Sequence, residues 1–340
     1  MRVSIKDIAR AADVSHSTVS RALADSPLVS AGTKERIQCL AKEMGYSPDS
    51  RARSLVTGHT LTIGLVVTTI NDPFIVEIVQ SIETTARDHD YSIILATSNS
   101  DPERELAAVE MLQSKRVDSV IVTSSRVGAL YQEHLERLGV PVVLLNSHGQ
   151  QRGAYTFSIN VDNPHGARLA TEHLIELGHR RIAYVAGAVV LSPDQGRRTG
   201  YQQALEKAGI AHDPALVVSG TGRAGGGERA LAALRRLPEL PSAVFCYNDM
   251  TAIGLLRAAR AAGMSVPGDL AVVGFDDIPF ASFVYPSLTT ISQPKAEMGK
   301  RAVKMALSLM AGGPGNGEEI ASVIVIGKLV VRESSGAGLN

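Results

Sequence analysis

The sequence predicts a small all-α head followed by two α/β lobes built on mostly parallel sheets. Three observations carry this expectation. Residues 5–45 place their apolar side chains at helical spacing. From Leu61 onward, short apolar runs alternate with amphipathic stretches, the pattern of repeated βα units. The strands so found number about ten, too many for one compact sheet of ordinary size. At 340 residues with 44% hydrophobic side chains, the chain has core enough for roughly two or three domains. A charged fraction of 20% without long polar tracts argues against disorder.

In the head, Ile5, Ile8, Ala9 and Ala12 share one helical face. Val14, Thr18, Val19, Ala22 and Leu23 share a second, and Ile37, Leu40, Ala41 and Met44 a third. Ser15 and Thr33 stand where N-caps belong, and Gly45 where a helix stops. Ile5–Ala12, a tight break at Asp13 and Ser15–Ala24 together fit a helix-turn-helix, with Asp13 at a position that tolerates a left-handed backbone. The second helix then turns Ser15, His16, Ser17, Thr18, Ser20 and Arg21 outward. Short hydroxyls and one Arg suit phosphate and base-edge contacts in a major groove. On spacing alone, a helical bundle with a Ser-rich solvent face also fits. Ser47-Pro48 breaks the chain, and Asp49–Thr57 predicts one more short helix ending at Gly58.

Charge is distributed unevenly. Residues 1–60 hold nine Lys/Arg and six acids, a net of +3, so the other 280 residues carry −3. A basic head on a mildly acidic body is consistent with a nucleic-acid partner for the head alone.

In the body, strands are expected at Leu61–Val67, Ser92–Ala96, Ser119–Thr123, Pro141–Leu145, Arg181–Ala186, Leu216–Val218, Ala243–Tyr247 and Leu270–Gly274. Helices are expected at Pro73–His89, Glu103–Lys115, His165–Leu177, Gln195–Ala208 and Thr251–Ala262. The longest near-apolar run, Ile182–Leu191, has ten residues and is too short to span a bilayer. Met1–Asp7 leads into no apolar stretch, so export is not expected. Cys39 and Cys246 lie far apart without Cys/His spacing, which argues against a zinc site or disulfide scaffold and suits the cytosol.

Several segments together reach a known family. VSIKDIARAADVSHSTVSRAL and GYSPDSRARSL resemble the DNA-binding head of LacI/GalR transcriptional repressors. The body continues the resemblance in order, through TTINDPF, VDNPHGARLATEHLIELGHRRIAYVAG, RRTGYQQAL, CYNDMTAIGLL, VPGDLAVVGFDD and PSLTTISQP. The resemblance implies a head over 1–46 and a hinge helix and linker over 47–60. It implies an effector domain over 61–340 like periplasmic binding proteins, with one lobe near 61–161 and 292–325 and the other near 162–291 and 326–335. It further implies a cytoplasmic homodimer that binds pseudo-palindromic operator DNA and a small polar effector, a sugar or sugar derivative, with no membrane association, cofactor or metal.

Carried over by position, His16, Ser17 and Arg21 match base-reading residues, and Ser15, Thr18 and Ser20 match phosphate contacts or caps. Arg53 belongs to the matching hinge segment, and Leu55 matches the hinge leucine that wedges into the minor groove. Without the resemblance, Leu55 reads as an ordinary amphipathic-helix contact. The hinge helix, about nine residues, is shorter than the roughly 12–15 that give marginal helicity in water, so it is expected to order only on DNA. Asn71, Phe74, Asn146, Arg197, Asn248 and Asp276 match positions that contact the effector, at the carboxyl ends of strands. Asp249 and Asp277 read as caps of the segments that follow them. One departure stands out: many family members stack an aromatic on the ligand near Gly220-Thr221-Gly222, and this loop has none.

Two motifs imitate other chemistry. Gly220-x-Gly222-x-x-Gly225 followed by Asp249 has the outline of a dinucleotide fingerprint, but Gly225-Gly226-Gly227 would burden a first helical turn, and the strand before it is short. His173 and His179 lie near Glu172 and Glu176 without metal-ligand order, so structural histidines are expected. No nucleophile motif supports an enzyme. A transport-associated sugar-binding protein would share the two-lobed body. Residues 1–58 and the lack of a signal peptide count against it.

Overall fold

The computed structural model describes residues 3–46, 58–125, 139–146, 156–187, 192–311 and 323–336, which fall into two compact units, Met1–Thr60 and Leu61–Asn340.

The head is three helices, α1 (Ile5–Ala11), α2 (His16–Leu23) and α3 (Ala31–Glu43), closed over Ile8, Val19, Ala22 and Ile37. Local signals set their ends. Asp7 accepts hydrogen bonds from the Ser4 hydroxyl (2.7 Å) and backbone N–H (3.0 Å), a capping box that lowers the Asp7 pKa. Asp13 makes the turn at φ 51°, and Gly45 ends α3 at φ 66°. The N-cap of α3 is Ser30 rather than Thr33, so this helix starts earlier than expected. Thr33 instead exchanges a hydrogen bond with the Ser30 hydroxyl at 2.9 Å.

The body carries two parallel sheets. The first is ordered β11-β5-β4-β3-β1-β2, from Val323–Val325, Thr156–Val161, Val142–Leu145, Ser119–Thr123, Thr62–Val67 and Ser92–Thr97. Helices α4 (Pro73–Arg87) and α10 (Lys295–Met310) bury one of its faces, with Ile63, Leu65, Ile78, Ile82, Met298 and Val303 in the core between them. Helix α5 (Pro102–Ser114) covers the other face, packing Val109 and Leu112 over Val66, Val120 and Val122.

The second sheet is ordered β7-β6-β8-β9, from Val217–Ser219, Ile182–Ala186, Ala243–Cys246 and Ala271–Val273. Helices α6 (Asn163–Glu176) and α7 (Ser192–Lys207) pack on one face, and α8 (Ala224–Leu234) and α9 (Asp249–Ala261) on the other. A short antiparallel ribbon, β10 (Thr290–Ser292) with β12 (Lys328–Val330), joins the lobes where the chain crosses between them.

The strands expected from apolar runs appear within a residue or two. Elements without such runs went unseen: β5, β10 to β12, α8 and α10. Helix α8 corrects the reading of its glycines as a burden. A Cβ on Gly227 would collide with the Thr251 carbonyl and lie 2.7 Å from Leu255 N, and one on Gly254 would strike the Ala224 backbone. The glycines let α8 and α9 touch backbone to backbone, and that contact offsets their cost of about 1 kcal/mol each in helix propensity.

Candidate functional sites

In the head, the sequence buries one side of α2 and leaves the other to solvent. Val19 and Ala22 are buried, whereas Ser15, His16, Ser17, Ser20 and Arg21 are exposed and Thr18 is partly so. Ser15 is the N-cap: its Oγ accepts from Thr18 N at 3.1 Å and shares hydrogen bonds with the Ser17 (2.7 Å) and Thr18 (2.8 Å) hydroxyls. Those hydroxyls therefore cluster at the start of the helix, where backbone N–H groups and the helix dipole favour an anion. Two other head cations are engaged: Lys34 pairs with Asp25 at 2.7 Å, and Arg36 donates to the Ala12 carbonyl at 3.0 Å. Among the described residues Arg21 has no acidic partner, so its fork is available to an external acceptor. Arg53 and Leu55 lie outside the described residues.

In the body, Arg197 is the hub of the second-lobe side. It is 5% exposed on α7. Its Nε donates to Asn163 Oδ1 at 2.9 Å and its Nη1 to the Tyr247 carbonyl at 2.5 Å; Nη2 lies 3.6 Å from Asp276 Oδ1. Its guanidinium also stacks 3.7 Å over the Phe275 ring and 4.6 Å over that of Tyr247. Asp276, at φ 118° just beyond β9, accepts from Gln293 Nε2 at 2.6 Å. Burial pushes the Asp276 carboxyl well above the usual range, and the neighbouring Arg197 opposes that shift.

Asn248 is spent as a cap. Its Oδ1 accepts from Thr251 N (3.0 Å) and Thr251 Oγ1 (2.7 Å), and its Nδ2 donates to the Gly222 carbonyl at 3.0 Å.

On the first-lobe side the polar atoms are open. Asn146, at φ 50° just beyond β4, has a buried Oδ1 with no hydrogen-bond partner among the described residues, and the same holds for Thr123 Oγ1 and Gln293 Oε1. Thr123 ends β3 opposite Leu145, the neighbour of Asn146, so their two open atoms come from adjacent strand ends. A buried acceptor without a donor costs about 1–3 kcal/mol, and a ligand that brings N–H or O–H groups repays it. Asn71 is exposed at the loop before α4, and Asp72 caps that helix by accepting from Phe74 N at 3.0 Å. Burial raises the Asp72 carboxyl, with Arg223 and Arg197 opposing.

Of the six residues expected to meet an effector, the structure joins Arg197 to Asp276 directly, and Asn248 to Arg197 through the neighbouring Tyr247 carbonyl. Asn146, just beyond β4 of the first lobe, keeps an open acceptor. Phe74 instead joins the first-lobe core and is 7% exposed. Sequence reasoning missed Thr123 and Gln293. The first could have been found as the polar end of an apolar strand; the second lies just beyond a strand too short to recognise. Asp249 and Asp277 are not caps of their own following segments. Asn248 caps α9, while Asp249 is fully buried, accepts from Ile278 N (2.9 Å) and Thr290 Oγ1 (2.5 Å), and has its pKa pushed up by burial to about 7. Asp277 takes Arg332 Nη2 at 2.7 Å. His173 is buried against the Ser335 hydroxyl at 2.9 Å, with its pKa lowered chiefly by burial. No metal-binding cluster occurs among the described residues, and no helix among them is long and apolar enough to cross a membrane.

Residues 4–49 match the model of bacterial regulatory proteins of the lacI family, and residues 171–335 match that of a periplasmic binding protein-like domain. The HTH-type transcriptional repressor CytR of Escherichia coli K12 is 35% identical over 309 residues, 91% of this chain and 90% of its own. The chain belongs to the lacI family. Another relative of this lacI-family chain, the HTH-type transcriptional repressor PurR of Haemophilus influenzae PittEE, is 33% identical over 97% of this chain and 98% of its own. Among solved structures, the lac repressor dimer bound to operator and the anti-inducer ONPF superposes with a TM-score of 0.88 at 28% identity, covering 98% of this chain and 99% of that one. A complex of the transcriptional regulator CelR with cellobiose matches at a TM-score of 0.73 and 32% identity over 98% and 100%.

Proposed function

We propose that this lacI-family chain is a transcriptional repressor, acting in the cytoplasm as a homodimer, whose affinity for a pseudo-palindromic operator is set by a small polar ligand held between the lobes. The reading divides the chain into a DNA-binding head at 1–46, a hinge and linker at 47–60, and an effector and dimerisation domain at 61–340. What supports it is the pairing, in one chain, of an exposed helix-turn-helix face with buried polar atoms at Asn146, Thr123 and Gln293 that have no hydrogen-bond partner among the described residues.

In this reading Arg21, His16 and Ser17 read base edges from the major groove, and Ser15, Thr18 and Ser20 hold phosphates at the start of α2. Arg53 steadies the hinge on the backbone, and Leu55 wedges into the minor groove. Two copies are needed because one short recognition helix covers only half a site. Phe280, Phe283 and Tyr285 are exposed on one turn of the second lobe, and offer an apolar patch for a second copy.

The ligand is a sugar or sugar derivative. Its hydroxyls donate to Asn146, Thr123 and Gln293, while Asp276 and Arg197 hold its other side and Asn71 borders it. By linkage, the ligand and the operator change each other's affinity by the same factor. The chain so read is a regulator and not an enzyme, and the head separates it from a transport-associated binding protein. The test is anisotropy of the full-length protein on duplexes it enriches from a random pool, with sedimentation of the complex. The expected result is one dimer per two half-sites; a monomer bound at full affinity would overturn the reading.

A further inference from the structure

Resting on the function just proposed, we infer that Lys295 is the positioning residue that ties the ligand-facing turn at Asp276 to helix α4 of the first lobe, and so carries the state of the ligand site into the elements that follow the head in the sequence. Lys295 opens α10, and its side chain is 9% exposed. Its ammonium makes two hydrogen bonds to backbone carbonyls and one ion pair, to a carboxylate oxygen that takes no hydrogen bond among the described residues. It donates to the Asp276 carbonyl at 2.9 Å and the Asp277 carbonyl at 2.5 Å, and lies 3.1 Å from Glu77 Oε1. Glu77 sits one turn into α4, behind the loop that carries Asn71. One cation therefore grips the backbone of a second-lobe turn and a first-lobe helix together.

The gripped turn is unusual. Asp276 and Asp277 both have positive φ, at 118° and 51°, conformations that side-chain-bearing residues keep only when their surroundings impose them. Around them, Gln293 holds the Asp276 carboxylate, Arg332 holds that of Asp277, and Asp249 accepts the next N–H, from Ile278. Ile278 itself packs into the first-lobe core. A ligand that takes Asp276 away from Arg197 or Gln293 reorients this turn, and the carbonyls held by Lys295 move with it. Helix α4 follows β1, the first strand after the segment leading from the head. A lysine that only satisfied two carbonyls would lack the Glu77 arm, and that arm separates the two roles.

The test is hydrogen exchange by mass spectrometry on the full-length protein, alone and with a saturating duplex enriched from a random pool. Glu77→Gln should raise exchange at residues 275–280 fivefold or more, although Glu77 lies on another lobe. In the wild type the duplex should change exchange at the same turn by at least twofold. That change should vanish in Lys295→Met and return in Lys295→Arg. Exchange altered only within α4 by Glu77→Gln, or a duplex effect that persists in Lys295→Met, would overturn the inference. Should no duplex be enriched, the proposed function fails, while the Glu77→Gln arm still decides the tie. A Lys295→Met chain that does not fold leaves Glu77→Gln and Lys295→Arg to decide it.

Discussion

The two lobes hold the residues expected to meet an effector differently. On the second lobe, Arg197, Asp276 and Asn248 are each held by several partners before any ligand arrives. On the first lobe, Thr123 and Asn146 present buried atoms with none among the described residues. A wall already tied together binds with little ordering cost, whereas a wall with open acceptors gains most when a ligand supplies donors. In the function proposed above, this difference gives recognition to the second lobe and closure to the first.

The strongest way to break this contrast is Arg197→Ala. It removes the cation from a buried pair and strips partners from Asn163 and the Tyr247 carbonyl, and should cost about 3–5 kcal/mol of stability in denaturant unfolding. A loss below about 1 kcal/mol would mean that the second-lobe wall is not preassembled. Asn248→Ala should come next, at about 1–2 kcal/mol, because it deletes the cap of α9.

Asp249 sharpens the contrast through pH. Its folded pKa of about 7 lies above the unfolded value near 3.9, so its protonated form favours the fold. Its contribution is fully present below about pH 4 and is lost as pH rises through about 7. Unfolding free energies measured across that window should carry this downward slope, and Asp249→Asn should flatten it. An unchanged slope would assign the titration elsewhere.

Thr123→Val should have the smallest effect, within about 0.5 kcal/mol, since an isosteric apolar group replaces a hydroxyl with no described partner. The same substitution should weaken ligand binding. A large loss of stability without ligand would show that the hydroxyl is already in use.

The head and the cleft were unequally legible for a physical reason. Asp13, Ser15 and Gly45 act within a turn of where they stand, so their residue types predict their roles. Apolar runs mark β1, β3, β6 and β8 because buried parallel strands need them. Strand β5 carries Ser158 and Asn160 and shows no such run, and the glycines of α8 make sense only against α9. Arg197 and Asp276 were found by position, but their partners come from distant segments, and no spacing reveals that Phe74 faces the core. Gln293 and Lys295 gain meaning only once α10 returns to the first lobe.

The central claim is that the exposed face of α2 reads DNA, and Arg21→Ala tests it most directly. Anisotropy should be measured on a duplex enriched by the wild-type protein and on an unrelated duplex of equal length at the same salt. The account predicts a loss of about 1–3 kcal/mol, roughly 5- to 200-fold, on the enriched duplex and a much smaller loss on the unrelated one. Equal losses on both would reduce Arg21 to a phosphate contact, and no loss on either would contradict the assigned reading face.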